Sequence, residues 1–157
     1  MNGEGAPAPI VSTIVVNHNR RELLAACLRS LEQQNGGIDF DVIVVDNAST
    51  DGSAEMVESI SWRMPVRLIR NTENRGFCAA NNQGVAATCE ATRYVALLNN
   101  DAEALPDWLS ALVAAFGRRE DVGMAASKIL VWEDPSRIDK AGHVIYLDGQ
   151  NRGRGSG

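Results

Sequence analysis

The chain has 157 residues, enough for one domain with an ordinary core, and carries 15 basic against 20 acidic residues for a formal net charge of −5. The basic residues are scattered along the chain, which excludes the basic surface that nucleic-acid binding requires, so no nucleic-acid partner is expected. A phosphate-bearing ligand would have to be held locally, by a few arginines, backbone N–H groups or a metal ion.

Taken in chain order, the sequence begins with a Gly-, Ala- and Pro-rich stretch at 1–9, read as a flexible leader. Residues 10–16 (IVSTIVV) are a β-branched run of the kind that makes a buried strand. Over 21–34, Leu24, Cys27, Leu28 and Leu31 fall on one helical face. Asn19, with Glu22 three residues on, makes a capping pair at that helix start. Residues 41–45 (DVIVV) are a second strand, closed by Asp46-Asn47. A helix over 52–60 follows, with Thr50 or Asp51 as its N-cap.

Residues 66–69 are a short third strand. A helix over 76–89 is expected to bury a face of Phe77, Ala80, Gly84, Val85 and Thr88, with Gly84 allowing close packing on the sheet. Residues 94–98 (YVALL) form a fourth strand ending in Asn99-Asn100-Asp101. Pro106 suits the first turn of a helix over 106–116, and 122–126 is read as a fifth strand. The glycine-rich tail, 151–157, has nothing to bury and is expected to be unstructured. Cys27, Cys78 and Cys89 have no metal-type spacing and an odd count, and are expected to be buried free thiols. No apolar run approaches the ~18–20 residues that span a bilayer, and the leader lacks a signal peptide's basic start and apolar stretch. A cytoplasmic protein is the expectation.

Strand–helix alternation of this kind predicts an α/β fold, a mostly parallel sheet with helices on both faces. Ligands of such sheets lie outside the carboxyl ends of the strands. The segments 17–20, 46–51, 71–76 and 99–101 should therefore meet at one crevice, and all four are rich in Asn, Asp and Arg. No G-x-G-x-x-G or G-x-x-x-x-G-K-[ST] follows the first strand, which argues against a dinucleotide oxidoreductase or a P-loop NTPase.

Several residues there have two readings. His18 is either a satisfied loop histidine or an imidazole packed on a nucleobase. Asp46 either holds an Asx turn or accepts hydrogen bonds from a base or ribose, and Asp51 either caps a helix or does the same. Arg75 can pair with phosphate and Gly76 permits close backbone approach. Asn81 sits on an expected buried face, so its amide needs partners from the loops or from a ligand. Asn99-Asn100-Asp101 offers oxygen ligands for Mg²⁺ or Mn²⁺, cations usually held by one or two carboxylates plus substrate phosphates.

The motifs VSTIVVNHNR (11–20), VIVVDNASTDGS (42–53), NTENRGFCAANNQG (71–84) and LLNNDAE (97–103) together resemble family 2 glycosyltransferases of the GT-A fold, in particular rhamnosyltransferase-like bacterial members. The resemblance implies a nucleotide-sugar-binding domain over 10–130. Residues 131–157 would begin a segment linking to an acceptor half, which is then incomplete. It places Asp46 at the nucleobase and ribose with His18 beside it, Asp51 in support of that loop, and Arg75 and Gly76 near the diphosphate. Asn17, Arg20, Asn47, Asn81 and Asn100 complete the expected nucleotide site, and Asp101, the last residue of the D-x-D metal motif, is the expected metal ligand. The family commonly has Tyr at position 18, and D-x-D reads N-N-D here, one carboxylate fewer.

The implied reaction is transfer of a sugar from a UDP- or dTDP-sugar to a cell-surface glycan or lipid-linked acceptor, with inversion. The resemblance puts the catalytic base in the acceptor half, so it is expected beyond Gly157; Glu133-Asp134 lies too early for it, directly before a Pro135 turn. Peripheral association with the inner face of a membrane would come through regions outside the chain. Two rival readings are a non-catalytic nucleotide-binding fragment and a nucleotidyltransferase. The second is disfavoured because NHNRRE lacks the glycines of that class's phosphate loop.

Overall fold

The computed structural model describes residues 10–118, 121–145 and 151–154. The leader expected over 1–9 and the tail residues 155–157 lie outside the described residues. The described residues up to Ser110 form one compact unit, and those from Ala111 onward form a second.

In the first unit, β1 (Val11–Asn17), β2 (Phe40–Asp46), β3 (Val66–Arg70) and β4 (Tyr94–Leu97) lie in the order β3-β2-β1-β4, with every pairing parallel. The connections between them carry α1 (Arg21–Leu31), α2 (Ser53–Ser59) and α3 (Phe77–Ala86). β1 and β2 are the inner strands, which is why their sequences are almost continuously apolar rather than alternating. Val15, Val42 and Val44 share a core with Leu24, Leu28 and Leu31 of α1 and with Met56 and Val57 of α2. Their neighbours Ile14, Ile43 and Val45 point the other way and pack with Ala80 of α3. Helices therefore cover both faces, as the sequence predicts. α4 (Trp108–Phe116) starts with Leu109 buried and Trp108 against the α1–α2 core.

Five local expectations are corrected. Asn19 and Glu22 do not cap α1: Arg20 holds the N-cap position without a side-chain cap bond, and the Asn19 Oδ1 accepts the Thr50 N–H at 2.8 Å. The buried face of α3 is Ala80, Asn81 and Gly84, whereas Phe77 is 60% exposed and Val85 is also exposed. Close helix–sheet approach admits only small side chains there, so the larger ones turn outward. Of the three free cysteines only Cys27 is buried; Cys78 is exposed and Cys89 half-buried.

The other two corrections fall in the second unit. Residues 122–126 make no strand; instead β5 (Lys128–Leu130) pairs antiparallel with β6 (Ile138–Ala141). The segment Asn151–Gly153, expected to be unstructured, forms β8 antiparallel to β7 (His143–Ile145). A short apolar run such as VGMAA lacks a partner of matching register, while hairpin pairing lets a polar segment satisfy its backbone.

Candidate functional site

The parallel register sets Asn17 beside Asp46 and Asp46 beside Arg70 at the ends of their strands. β4 joins β1 from the other side, with Leu97 opposite Ile14. The loops after all four strands consequently leave from one edge of the sheet.

Three buried polar side chains organise that edge. Asn17, fully buried, donates from Nδ2 to the Asp46 Oδ1 at 3.2 Å and to the Ser49 Oγ at 3.1 Å, and its Oδ1 accepts from the Asn100 Nδ2 at 2.7 Å. Asp46, 3% exposed, also accepts the Ser49 N–H on Oδ2 at 3.0 Å. One of its oxygens thus faces the end of β1 and the other the turn after β2, where Ala48 is held at a φ of 63°, a conformation an alanine keeps only when its surroundings impose it. Asn47 donates to the Asn74 Oδ1 at 2.8 Å and accepts from the Asn71 Nδ2 at 3.1 Å and the Arg75 N–H at 3.0 Å. It ties the loop after β3 to the end of β2.

Above this network lies a cleft of about 280 Å³ lined by Val16, His18, Arg20, Asn47, Asn74, Phe77 and Asn100. His18 Nδ1 is 2.9 Å from the Asn47 carbonyl oxygen, so Nδ1 carries the hydrogen and donates it. A larger concavity of about 540 Å³ runs along β3 and the end of α2, but no strand-end residue lines it. The first cleft is the candidate because the converging polar groups are there.

Charge supports that choice. Arg21, Arg67 and Arg70 are ion-paired with carboxylates, whereas Arg20 and Arg75 have no such pair among the described residues. α3 starts without a side-chain cap, which leaves its first N–H groups for an anion. Its N-cap Gly76 has φ 79° and ψ 162°, and nothing lies within 4 Å of where a Cβ would stand. Glycine is needed there for its backbone conformation, not for space.

Asp101 is exposed at the end of the β4 loop and has no ion pair among the described residues. Beneath the loop the buried Cys27 thiol, whose Sγ donates to the Asn99 carbonyl at 3.5 Å, is pushed up to about 12 by burial, then by the charges of Asp101 and Glu103. Among the described residues no group of three or more His, Cys, Asp or Glu could hold a metal unaided. One carboxylate with amide oxygens beside it fits a hard cation whose remaining ligands are a diphosphate and water.

The sequence-predicted residues divide into groups. His18, Arg20, Asn47 and Asn100 line the cleft, and Arg75 and Gly76 lie on the loop that borders it. Asn17 and Asp46 are buried, bonded to protein, and do not line it. Asp51 accepts the Arg21 N–H at 2.9 Å and the Ser53 N–H at 3.0 Å, serving the starts of α1 and α2. Asn81 donates to the Phe77 carbonyl at 2.9 Å, a partner within its own helix. Val16, Asn74 and Phe77 were missed. Asn74 lies in a segment expected at the crevice, while Phe77 was assigned to the helix's buried side.

A parallel α/β sheet whose strand-end loops meet at one cleft belongs to the class of folds that take ligands at the carboxyl ends of their strands. Residues 12–151 match the profile of the glycosyl transferase family 2. The chain belongs to that family. It is 34% identical over 146 residues to the uncharacterized protein y4gI of Sinorhizobium fredii, a match covering 90% of this chain and 15% of that protein. Among solved structures, the mannosyltransferase PcManGT from Pyrobaculum calidifontis, in complex with GDP-Man and Mn²⁺, is similar with TM-score 0.64 and 24% identity, over 82% of this chain and 38% of that one. S. aureus TarS 1–349 in complex with UDP-GlcNAc is similar with TM-score 0.62 and 19% identity, over 79% and 41%. These two likenesses establish the GT-A-type fold. The chain spans well under half the length of each of these proteins. Among the described residues no helix is long and apolar enough to cross a membrane.

Proposed function

We propose that this domain binds the nucleotide part of a nucleoside-diphosphate sugar for transfer of the sugar to a cell-surface glycan or lipid-linked acceptor. The observation that carries the reading is the cleft at the strand ends, whose lining includes His18, Arg20, Asn74, Phe77 and Asn100, the last next to Asp101 in sequence. The imidazole and the exposed phenyl ring in that lining offer flat faces to a base. Arg20, Arg75 and the start of α3 then receive the diphosphate. UDP- or dTDP-sugars are the proposed donors, as expected for a rhamnosyltransferase-like member. The motifs that carried the resemblance support that subgroup.

Asp101, with Asn100 beside it, would hold a Mg²⁺ or Mn²⁺ ion together with the donor diphosphate. Such an ion supplies charge neutralisation on the departing diphosphate. That a structural neighbour was solved with Mn²⁺ and a nucleotide sugar supports a divalent cation in this reading. In the reaction, an acceptor hydroxyl loses its proton to a general base and its oxygen attacks the anomeric carbon. The bond from that carbon to the diphosphate oxygen breaks, and attack from the opposite side inverts the configuration. Arg20 and Arg75 stabilise the charge that builds on the leaving oxygen. Glu133 and Asp134 are not assigned as the base: Asp134 accepts from the Ser136 N–H and hydroxyl and so holds a turn.

Calorimetry with UDP, dTDP and GDP, each with Mn²⁺ and with chelator, tests the reading. UDP or dTDP should bind, more tightly with the cation. Binding of none of the three would remove the nucleotide site, and equal affinity in chelator would remove the metal.

A further inference from the structure

Asn17 was expected to touch nucleotide, yet its amide bonds to two strand-end loops at once. Its Nδ2 serves the turn after β2, through the Asp46 Oδ1 at 3.2 Å and the Ser49 Oγ at 3.1 Å. Its Oδ1 serves the loop after β4, through the Asn100 Nδ2 at 2.7 Å. The partners stand 29, 32 and 83 positions away in sequence, so no local turn could make these bonds. The side chain is fully buried and lines neither of the two concavities described above, which points to a role in the protein's own bonding. Asn100, by contrast, lines the cleft and adjoins Asp101.

We propose that Asn17 is a positioning residue that fixes the Asp101-bearing loop against the β2 turn, so that the nucleotide and cation halves of the site share one geometry. This rests on the nucleotide-and-cation reading for its purpose, although the linkage itself is a property of the free protein. The chemistry requires an amide. A donor must face the Asp46 carboxylate while an acceptor faces the Asn100 amide, and asparagine presents both on one planar group. An aspartate would set two carboxylates against each other, and a leucine would take one bond from the buried Asp46 and one each from the half-buried Ser49 and Asn100. β1, an inner strand with both neighbours in register, is the rigid element that makes such a bridge stiff.

The test compares Asn17→Ala and Asn100→Ala with the natural chain. Asn100 is only half-buried, so the second variant should fold even if the first does not. In the free protein, amide NMR shifts report each loop. Asn100→Ala should move the signals of Asp46 and Ser49, which it reaches only through Asn17, and Asn17→Ala should move both loops. Calorimetry then measures how far Mn²⁺ tightens UDP. In either variant that factor should fall by about threefold or more, and the double variant should lose no more than the worse single one, as for residues acting as one unit. Shifts confined to the β4 loop in Asn100→Ala would overturn the bridge, whether or not UDP binds. Cross-loop shifts with an unchanged Mn²⁺ factor would overturn its role in the site. A natural chain that binds no UDP would sink the nucleotide reading instead, leaving the NMR result to decide the bridge.

Discussion

A Cβ placed on Gly84 would stand 2.5 Å from the Cγ2 of Ile14, which is fully buried in β1. This contact sets how closely α3 lies on the sheet and, through it, where the α3 start meets the strand ends. Gly84→Ala gains helix propensity of about 1 kcal/mol, but overpacking a closed core costs about 1–3 kcal/mol. Ile14 is fully buried and meets that Cβ with three of its side-chain atoms, so the net effect should be a loss of stability and a melting temperature lower by a few degrees. Thermal denaturation checks this; an unchanged or more stable variant would show that α3 can ride further from the sheet.

The Asp51 carboxyl should shape the acid limb of stability. Burial would raise its pKa, but hydrogen bonds from the Ser53 hydroxyl, the Arg21 N–H and the Ser53 N–H outweigh that and leave it lowered. A carboxyl with a depressed folded pKa adds stability above its unfolded pKa of about 4 and loses it as pH falls further. The group is exposed, so the contribution is at most that of an ordinary helix cap, about 1 kcal/mol. Urea titrations from pH 7 down to about pH 3 should show a shallower decline in Asp51→Asn than in the natural chain. Identical slopes would count against the double cap.

Asp46 should behave as a structural carboxylate. Asp46→Ala strips partners from the Asn17 amide and the Ser49 N–H in a buried setting, a loss of about 1–3 kcal/mol. Asp46→Asn is isosteric but turns an NH₂ toward one of two donors, and should also destabilise. Both variants should melt earlier without ligand and bind UDP less well. A melting temperature unmoved in either, with UDP binding lost, would return Asp46 to direct ligand contact.

Arg20 and Arg75 should act on binding alone. Each is exposed and without an ion pair among the described residues, so alanine there should shift stability by less than about 0.5 kcal/mol. Loss of one charge-assisted bond to phosphate, worth about 1.5–3 kcal/mol, should weaken UDP by roughly tenfold or more in each variant. The salt dependence of binding should flatten as well. Uridine, which lacks phosphate, should bind natural and variant chains alike; a loss for uridine too would place these arginines at the base.

The sequence by itself determined the order of strands and helices, the two-sided burial of β1 and β2, and the edge of the sheet where polar loops gather. Each follows from local runs and from the rule that parallel strands end on one side, and the four-motif resemblance rests on the same segments. What only the tertiary structure decided is how the polar residues at that edge are used. Asn17, Asp46, Asn47 and Asp51 bond to residues about thirty or more positions away, and no periodicity encodes such partners. A carboxylate after a strand reads the same in sequence whether it faces a ligand or a neighbouring loop's N–H. The rotation of α3 that exposed Phe77, the fifth strand at Lys128–Leu130 and the pairing of Asn151–Gly153 had the same origin. Each was settled by which surface or backbone lay opposite, a contact between distant parts of the chain.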